Sequence, residues 1–264
     1  MWDPSQYAMF SGHRARPFGE LLSRVGADDP AVVVDLGCGD GVLTCQLASR
    51  WPRASVVGVD SSPQMLDRAT ALDEDGRVEW VLGDIERWHA EGPVDVLVSN
   101  AALQWVPSHR ELIPRWSAAL APGGWFAMQV PGNFSAPSHR LLREVASASP
   151  RAAELAAVLR HDDAVAEPAE YTSLLAGLGL VPDVWETTYQ QVLDPAGEQA
   201  SPVLDWTMGT ALRPVLEVLS GDAERAELLH RYAVALADAY PRRPFGTVFA
   251  FRRIFAVAQK GAAR

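Results

Sequence analysis

The sequence predicts an open α/β fold, a doubly wound and mostly parallel seven-stranded sheet with an antiparallel edge strand and helical insertions. Three observations carry that expectation. Val32-Val33-Val34-Asp35-Leu36 is a β-branched run ending at an acid, which reads as a buried parallel strand. Gly37, Gly39 and Gly41 follow at alternate positions, the composition of a strand-to-helix turn that a ligand's bulk or another backbone can approach closely. From residue 32 to about 130, strand and helix patterns then alternate with short connections, as a layered α/β sheet requires.

The elements follow in order. A helix at about 17–25 precedes the first strand at 32–36. Strands are expected at 55–59, 78–82, 94–99 and 124–130, with helices at about 41–50, 62–72 and 108–121 between them. Pro63 suits a first helical turn, with Ser61 and Ser62 as candidate caps. Pro122-Gly123-Gly124 ends the third of these helices and opens the fifth strand. Residues 138–178 read as helices broken at Pro150 and Pro168. A strand at 181–192, helices at about 201–208, 211–219 and 222–240, and a last strand at 246–258 complete the chain. With no single crossover helix between them, the two late strands are expected to pair antiparallel at the sheet edge, the helices at 201–240 forming an insertion. One domain is expected: an N-terminal lid and helix (1–30), a ligand-binding core (31–135), helical cap segments (136–180 and 200–242) and terminal strands (181–192 and 246–259).

Composition narrows the function classes. The 264 residues are 48% apolar and 21% charged, ordinary for a globular chain with a large core. A formal charge of −10 opposes a nucleic-acid or anionic-membrane partner, since phosphate binding needs a basic face. Cys38 and Cys45 form no CxxC pair and no Cys/His cluster, so reduced thiols and no metal are expected. The N-terminus lacks a basic and apolar leader pattern and no window has the length of a membrane span, so a cytoplasmic location is expected. A dinucleotide fingerprint G-x-G-x-x-G would need a third glycine where Val42 or Thr44 stands, which removes the nicotinamide reading.

What stands after the first strand is D-x-G-x-G-x-G, from Asp35 to Gly41. Asp60, in Val59-Asp60-Ser61-Ser62-Pro63-Gln64-Met65-Leu66, follows the second strand. Gly83-Asp84-Ile85 follows the third and Ser99-Asn100-Ala101-Ala102-Leu103-Gln104-Trp105 the fourth. In a doubly wound sheet these carboxyl ends are where a ligand sits. Taken in order, the motifs resemble the Rossmann-like class I S-adenosylmethionine (SAM) methyltransferases over residues 32–130. The resemblance implies that Asp35, Gly37 and Gly39 meet the cofactor's methionine and ribose, and that Asp60, with Ser61 and Met65 beside it, meets the ribose hydroxyls. It further implies Asp84 and Ile85 at the adenine and Asn100 beside the reacting methyl group, with Arg14 as a further cofactor contact.

Outside those motifs the chain resembles the trans-aconitate 2-methyltransferase family over almost its whole length. The matching segments are Trp2-x-Pro4-x-x-Tyr7-x-x-Phe10, Arg14-x-Arg16-Pro17, Asn100-Ala101-x-Leu103-Gln104-Trp105 and Gln129-Val130-Pro131-Gly132-Asn133. Arg143-Glu144-Val145-Ala146, Trp185-x-Thr187-Thr188-Tyr189, Asp205-Trp206, Gly209-Thr210-Ala211-Leu212-Arg213-Pro214 and Arg231-Tyr232 continue the series. The resemblance implies methyl transfer from SAM to a carboxylate of trans-aconitate or a close relative, a reaction that needs no base and no metal because a carboxylate is already ionised at neutral pH. A polycarboxylate needs cations to hold it, and a guanidinium fork suits it best. Candidates for positioning it are Tyr7, Arg16, Trp105, Arg213 and Arg253, with His13, Arg252, Tyr189, Tyr232 and Tyr240 as further donors. Strand alternation puts Arg252 and Arg253 on opposite faces, and Arg253 is preferred. Residues 2–16 are expected to form a lid. A methyltransferase for a phenol, quinone or fatty acid, or a non-catalytic SAM-binding protein, are the alternatives.

Overall fold

The computed structural model describes residues 11–262, with the side chains of residues 11–15 and of residue 162 excepted. The chain divides into two compact units. One holds Gly12–Pro131, Val165–Thr187 and the segment from Arg253 onward; the other takes in Gly132–Ala164 and Thr188–Arg252 of the described residues. Among the described residues no helix is long and apolar enough to cross a membrane.

The first unit is built on a sheet. After α1 (Ser11–Leu22) come β1 (Val32–Leu36), α2 (Val42–Arg50), β2 (Ser55–Asp60), α3 (Pro63–Leu72), β3 (Val78–Leu82), β4 (Val94–Asn100), a short 3-10 turn (Leu103–Trp105), α4 (His109–Ala118) and β5 (Leu120–Pro131). β1 runs parallel to β2 on one side and to β4 on the other, with Val33 opposite both Val56 and Val96. A strand flanked on both sides and covered on both faces is mostly apolar, and Val33, Val34 and Leu36 are accordingly buried, with Asp35 the buried polar exception. β3 is the outermost strand on that side, and only Val78 of its residues is buried. The helices start where side-chain chemistry lets them: Ser62 Oγ accepts the Met65 N–H at 3.4 Å and Pro63 occupies the first turn of α3. Of the two candidate caps Ser62 is therefore the one used. Gly124 sits in β5 with no room for a Cβ, which would stand 3.0 Å from the Val94 carbonyl oxygen.

Two later elements complete this unit. Helix α7 (Pro168–Gly177) opens with a reciprocal Glu167–Glu170 capping box and Pro168 at its first turn, so the proline expected as a break between helices marks it by opening the second of them. Strands β6 (Leu180–Leu193) and β8 (Gly246–Lys260) each begin in one unit and finish in the other. The strand order is β3-β2-β1-β4-β5-β8-β6, with the two-residue β7 (Arg242–Arg243) pairing with β8. β8 is antiparallel to β5, from Trp125 opposite Gln259 to Pro131 opposite Arg253. The two late strands do lie side by side in an antiparallel region at the sheet edge, as expected; within it β8 is the inner strand, between β5 and β6, and β7 makes the sheet eight-stranded rather than seven-stranded. Burial gives the reason. Ile254 to Ala258 are all fully buried, a run that needs a neighbour on each side, whereas β6 alternates buried and exposed residues as an outer strand does. Trp185 of β6 stacks on Phe255 of β8 with centroids 4.8 Å apart, and Arg24 lies over the same indole at 3.9 Å while bonding Asp183.

The second unit is helical: α5 (Pro137–Ser147), α6 (Ala152–Val158), α8 (Pro202–Met208), α9 (Arg213–Val218) and α10 (Asp222–Ala239). Its core joins Leu142, Leu155, Leu212, Val215, Leu236 and the aromatic cluster Trp206, Phe249 and Phe251. Tyr232 and Tyr240 clamp the start of α5 through both backbone polar groups of one residue, Ser138. Tyr232 donates its hydroxyl to the Ser138 carbonyl at 2.9 Å, and the Tyr240 hydroxyl accepts the Ser138 N–H at 3.0 Å.

Candidate active site

The loop after β1 is shaped by three left-handed glycines, Gly37, Gly39 and Gly41, at φ of +80°, +57° and +79°. Two of them cannot carry a side chain for steric reasons as well: a Cβ on Gly37 would lie 2.3 Å from the Ala102 Cβ, and one on Gly41 2.6 Å from the Ala69 Cβ. Gly39 differs. Among the described residues nothing lies within 4 Å of where its Cβ would be, so the tight packing of these residues is below the loop and the open side is at its crest.

Asp60, at the end of β2, holds that crest. One carboxylate oxygen accepts the Gly39 N–H and the other the Ser62 N–H, both at 2.9 Å. Each oxygen offers about two lone-pair sites, so a pair of hydroxyls can still be accepted on the half-exposed face. Asp35 lies beneath the loop, 3% exposed, and accepts a hydrogen bond from Thr44 Oγ1 at 2.7 Å. Burial pushes its carboxyl up to about 6, the Thr44 hydroxyl pulls it down, and the nearby Asp60 charge raises it further. Asp35 therefore fastens strand to helix from below. Burial also pushes the Cys38 thiol up, with Asp35 and Asp60 adding to the effect, so this sulfur is protonated and inert at neutral pH.

The other strand ends converge on the same edge. The Gly83 N–H bonds the Asp60 carbonyl at 3.0 Å, bringing the β3 end beside that of β2. Asp84 is exposed and turns the chain by accepting the Glu86 N–H at 2.9 Å, while Ile85 behind it is buried. Ser61 is exposed and Met65 half-buried on the first turn of α3. At the end of β4, Ser99 bonds the Leu36 carbonyl at 2.8 Å, and Asn100 Oδ1 is buried with no partner among the described residues. Ala101 takes the left-handed region at φ +54°, rare for a residue with a Cβ, and its N–H bonds the Gln129 carbonyl. The structure thus brings together Asp35, Gly37, Gly39, Asp60, Ser61, Met65, Asp84, Ile85 and Asn100 around one edge of the sheet. It also adds Gln104 and Gln129, both buried, which the sequence reading quoted only as family-matching residues.

The expected substrate-positioning residues fare differently. Arg253 is 6% exposed and its Nη1 reaches Gln129 Oε1 at 3.4 Å, which makes it a built-in cation at this edge. Trp105 is 52% exposed, which excludes the alternative of a core tryptophan. Arg16 projects from α1 with its side chain 69% exposed and ion-paired to Glu20 one turn on. Arg213 lies in the helical unit, 52% exposed and paired in the same way with Glu217. Arg252 donates to the Gly132 carbonyl at 3.3 Å, and Tyr189 is buried, both in that unit. Tyr232 spends its hydroxyl proton on Ser138, a correction to its reading as a substrate donor. Tyr7, together with Trp2, Pro4 and Phe10, lies outside the described residues, as do the side chains of His13 and Arg14.

Comparison with known proteins agrees with this geometry. Residues 33–124 match a family model described as a methyltransferase domain. A trans-aconitate 2-methyltransferase of Streptomyces avermitilis is 51% identical over 99% of this chain and 97% of its own length. That of Rhodococcus jostii is 52% identical over 98% of this chain and 99% of its own. The crystal structure of the YcgJ protein from Bacillus subtilis shares the fold, with a TM-score of 0.58 at 13% identity over 94% of this chain and 100% of that one. Full-length identity near one half, together with the glycine loop and the acids at successive strand ends, shows that the chain belongs to the trans-aconitate 2-methyltransferase family.

Proposed function

We propose that this chain is a SAM-dependent O-methyltransferase that forms a monomethyl ester on a carboxylate of trans-aconitate or a closely related small polycarboxylate. The observation that carries the cofactor assignment is the Gly39–Asp60 pair, a crest open above the backbone and a carboxylate already oriented by two N–H groups with lone pairs to spare. Gly37, Gly39, Asp60, Ser61, Met65, Asp84, Ile85 and Asn100 would hold the cofactor, with Asp35 supporting the loop from below and Arg14 as a further contact. When bound, SAM supplies a sulfonium methyl, and its transfer forms an O–C bond as the S–C bond breaks with its electron pair going to sulfur.

The chain's own work is then positioning. Neither reactant must lose a proton, because carboxylates of this kind ionise near pH 4. Alignment of the attacking oxygen contributes up to about 7–11 kcal/mol, and removal of water from it adds to that. Arg253 and Trp105 are the residues supported as substrate contacts, one a buried cation and the other an exposed ring in the turn that follows β4. Arg16, Arg213 and Tyr7 remain proposed contacts.

The test is incubation of the purified protein with SAM and, separately, trans-aconitate, cis-aconitate, citrate, isocitrate and a phenol, read by mass spectrometry. The expected result is a gain of one methylene on trans-aconitate, labile to mild base as an ester is. Methylation of the phenol alone would replace this reading with that of a different small-molecule methyltransferase.

A further inference from the structure

A row of polar side chains crosses the sheet from the ends of β4 and β5 to the middle of β8. The register sets Asn100 opposite Gln129 and Gln129 opposite Phe255, so these residues share one face. Arg253, two residues before Phe255, shares that face too. Gln129 is 1% exposed. Its Oε1 accepts from Arg253 Nη1 at 3.4 Å, and since a guanidinium can only donate, the amide is held with its oxygen toward the arginine. The Nε2 group is thereby directed away, and it has no partner among the described residues. Buried amide nitrogens are rarely left so, because the lost hydrogen bonds are costly. A buried, oriented NH2 beside a buried guanidinium is a donor set for a planar anion with two oxygens, a carboxylate.

A carboxylate whose lone pairs are occupied in this way is a poor nucleophile, so the group held here is not the one that reacts. We propose that Gln129 and Arg253 bind a non-reacting carboxylate of the substrate, leaving a second carboxylate of the same molecule to attack the methyl group. The inference rests on the function proposed above and deepens it. The site selects for at least two carboxylates, and Gln129 is a positioning residue that both orients Arg253 and donates to the substrate itself.

The test compares wild type with Gln129→Met, which keeps size and removes the donors, and Gln129→Glu, which keeps shape and removes them. SAH affinity and thermal stability are measured beside kcat and KM for trans-aconitate and for an unsaturated monocarboxylate of similar length. The expected result is a rise of about 10–100-fold in KM for trans-aconitate with Gln129→Met, kcat and SAH affinity holding within about threefold. Turnover of the monocarboxylate by wild type and variant is expected to be equally slow. Should Gln129→Met lose SAH binding through misfolding, Gln129→Glu decides by the same KM criterion. An unchanged KM in a folded variant overturns the inference and leaves the proposed function standing. Failure of the wild type to methylate any acid overturns both, before any variant is measured.

Discussion

Asp35→Asn tests the account of the loop most directly, because Asp35 is a buried acid whose charge the fold tolerates at a cost. Its carboxyl rises from an ordinary 3.8 to about 6, chiefly through burial. The folded state therefore binds a proton more tightly than the unfolded chain does, and stability falls as pH rises from the unfolded value through the folded one. Over the full window the loss is about 3 kcal/mol, and roughly 2 kcal/mol of it falls between pH 4.5 and 7.5. Asparagine keeps an acceptor for Thr44 Oγ1 and has no charge to bury. Any fixed penalty from its extra N–H group is the same at both pH values and cancels in the comparison. The assay is urea unfolding of both proteins at pH 4.5 and 7.5. Relative to wild type, the variant should gain about 2 kcal/mol on going to the higher pH, or roughly 4–8 °C in Tm. A gap that changes by less than about 0.5 kcal/mol would refute the assignment of Asp35 as a strained, uncompensated charge.

The remaining expectations concern ligand binding and rate. Gly37→Ala combines a left-handed φ with a Cβ placed 2.3 Å from that of Ala102, so it should cost more than about 2 kcal/mol and weaken SAH binding at least about tenfold; calorimetry showing wild-type affinity would contradict the close-packed loop. Asp60→Asn should lower SAH affinity about 10–100-fold while changing stability by no more than about 1 kcal/mol, and a loss under twofold would reject the ribose assignment. For trans-aconitate, kcat/KM should be flat from about pH 6.5 to 8, since every carboxylate involved is ionised there. A limb that rises toward neutrality would indicate a general base.

Much of the architecture was legible because its causes are local. β1 follows from a β-branched run, α3 from Pro63 behind a serine cap, and the glycine loop from residues that alone tolerate left-handed backbone. That the two late strands share the sheet edge was legible from the lack of a single crossover helix between them; which of them lies beside β5 was not, since that depends on pairing of β5 with β8 across more than a hundred residues of separation and not on any local pattern. The arginines make the same point at the site. Arg16, Arg213 and Arg253 look alike in a sequence, but two stand on exposed helix faces beside glutamates and one is sealed in a strand against Gln129. Gln129 stayed out of the expected site because a glutamine in an apolar strand carries no chemical signal until its burial and its unpartnered nitrogen are known.

The sequence alone therefore determined where the glycines, Asp60, Gly83-Asp84 and Asn100 fall, each at the end of a strand whose periodicity is a property of a few consecutive residues. Tertiary structure alone decided which acid is buried and which faces outward, and which cation joins the strand ends. Those outcomes depend on what lies across the sheet, because desolvation and hydrogen-bond satisfaction are set by neighbours in space.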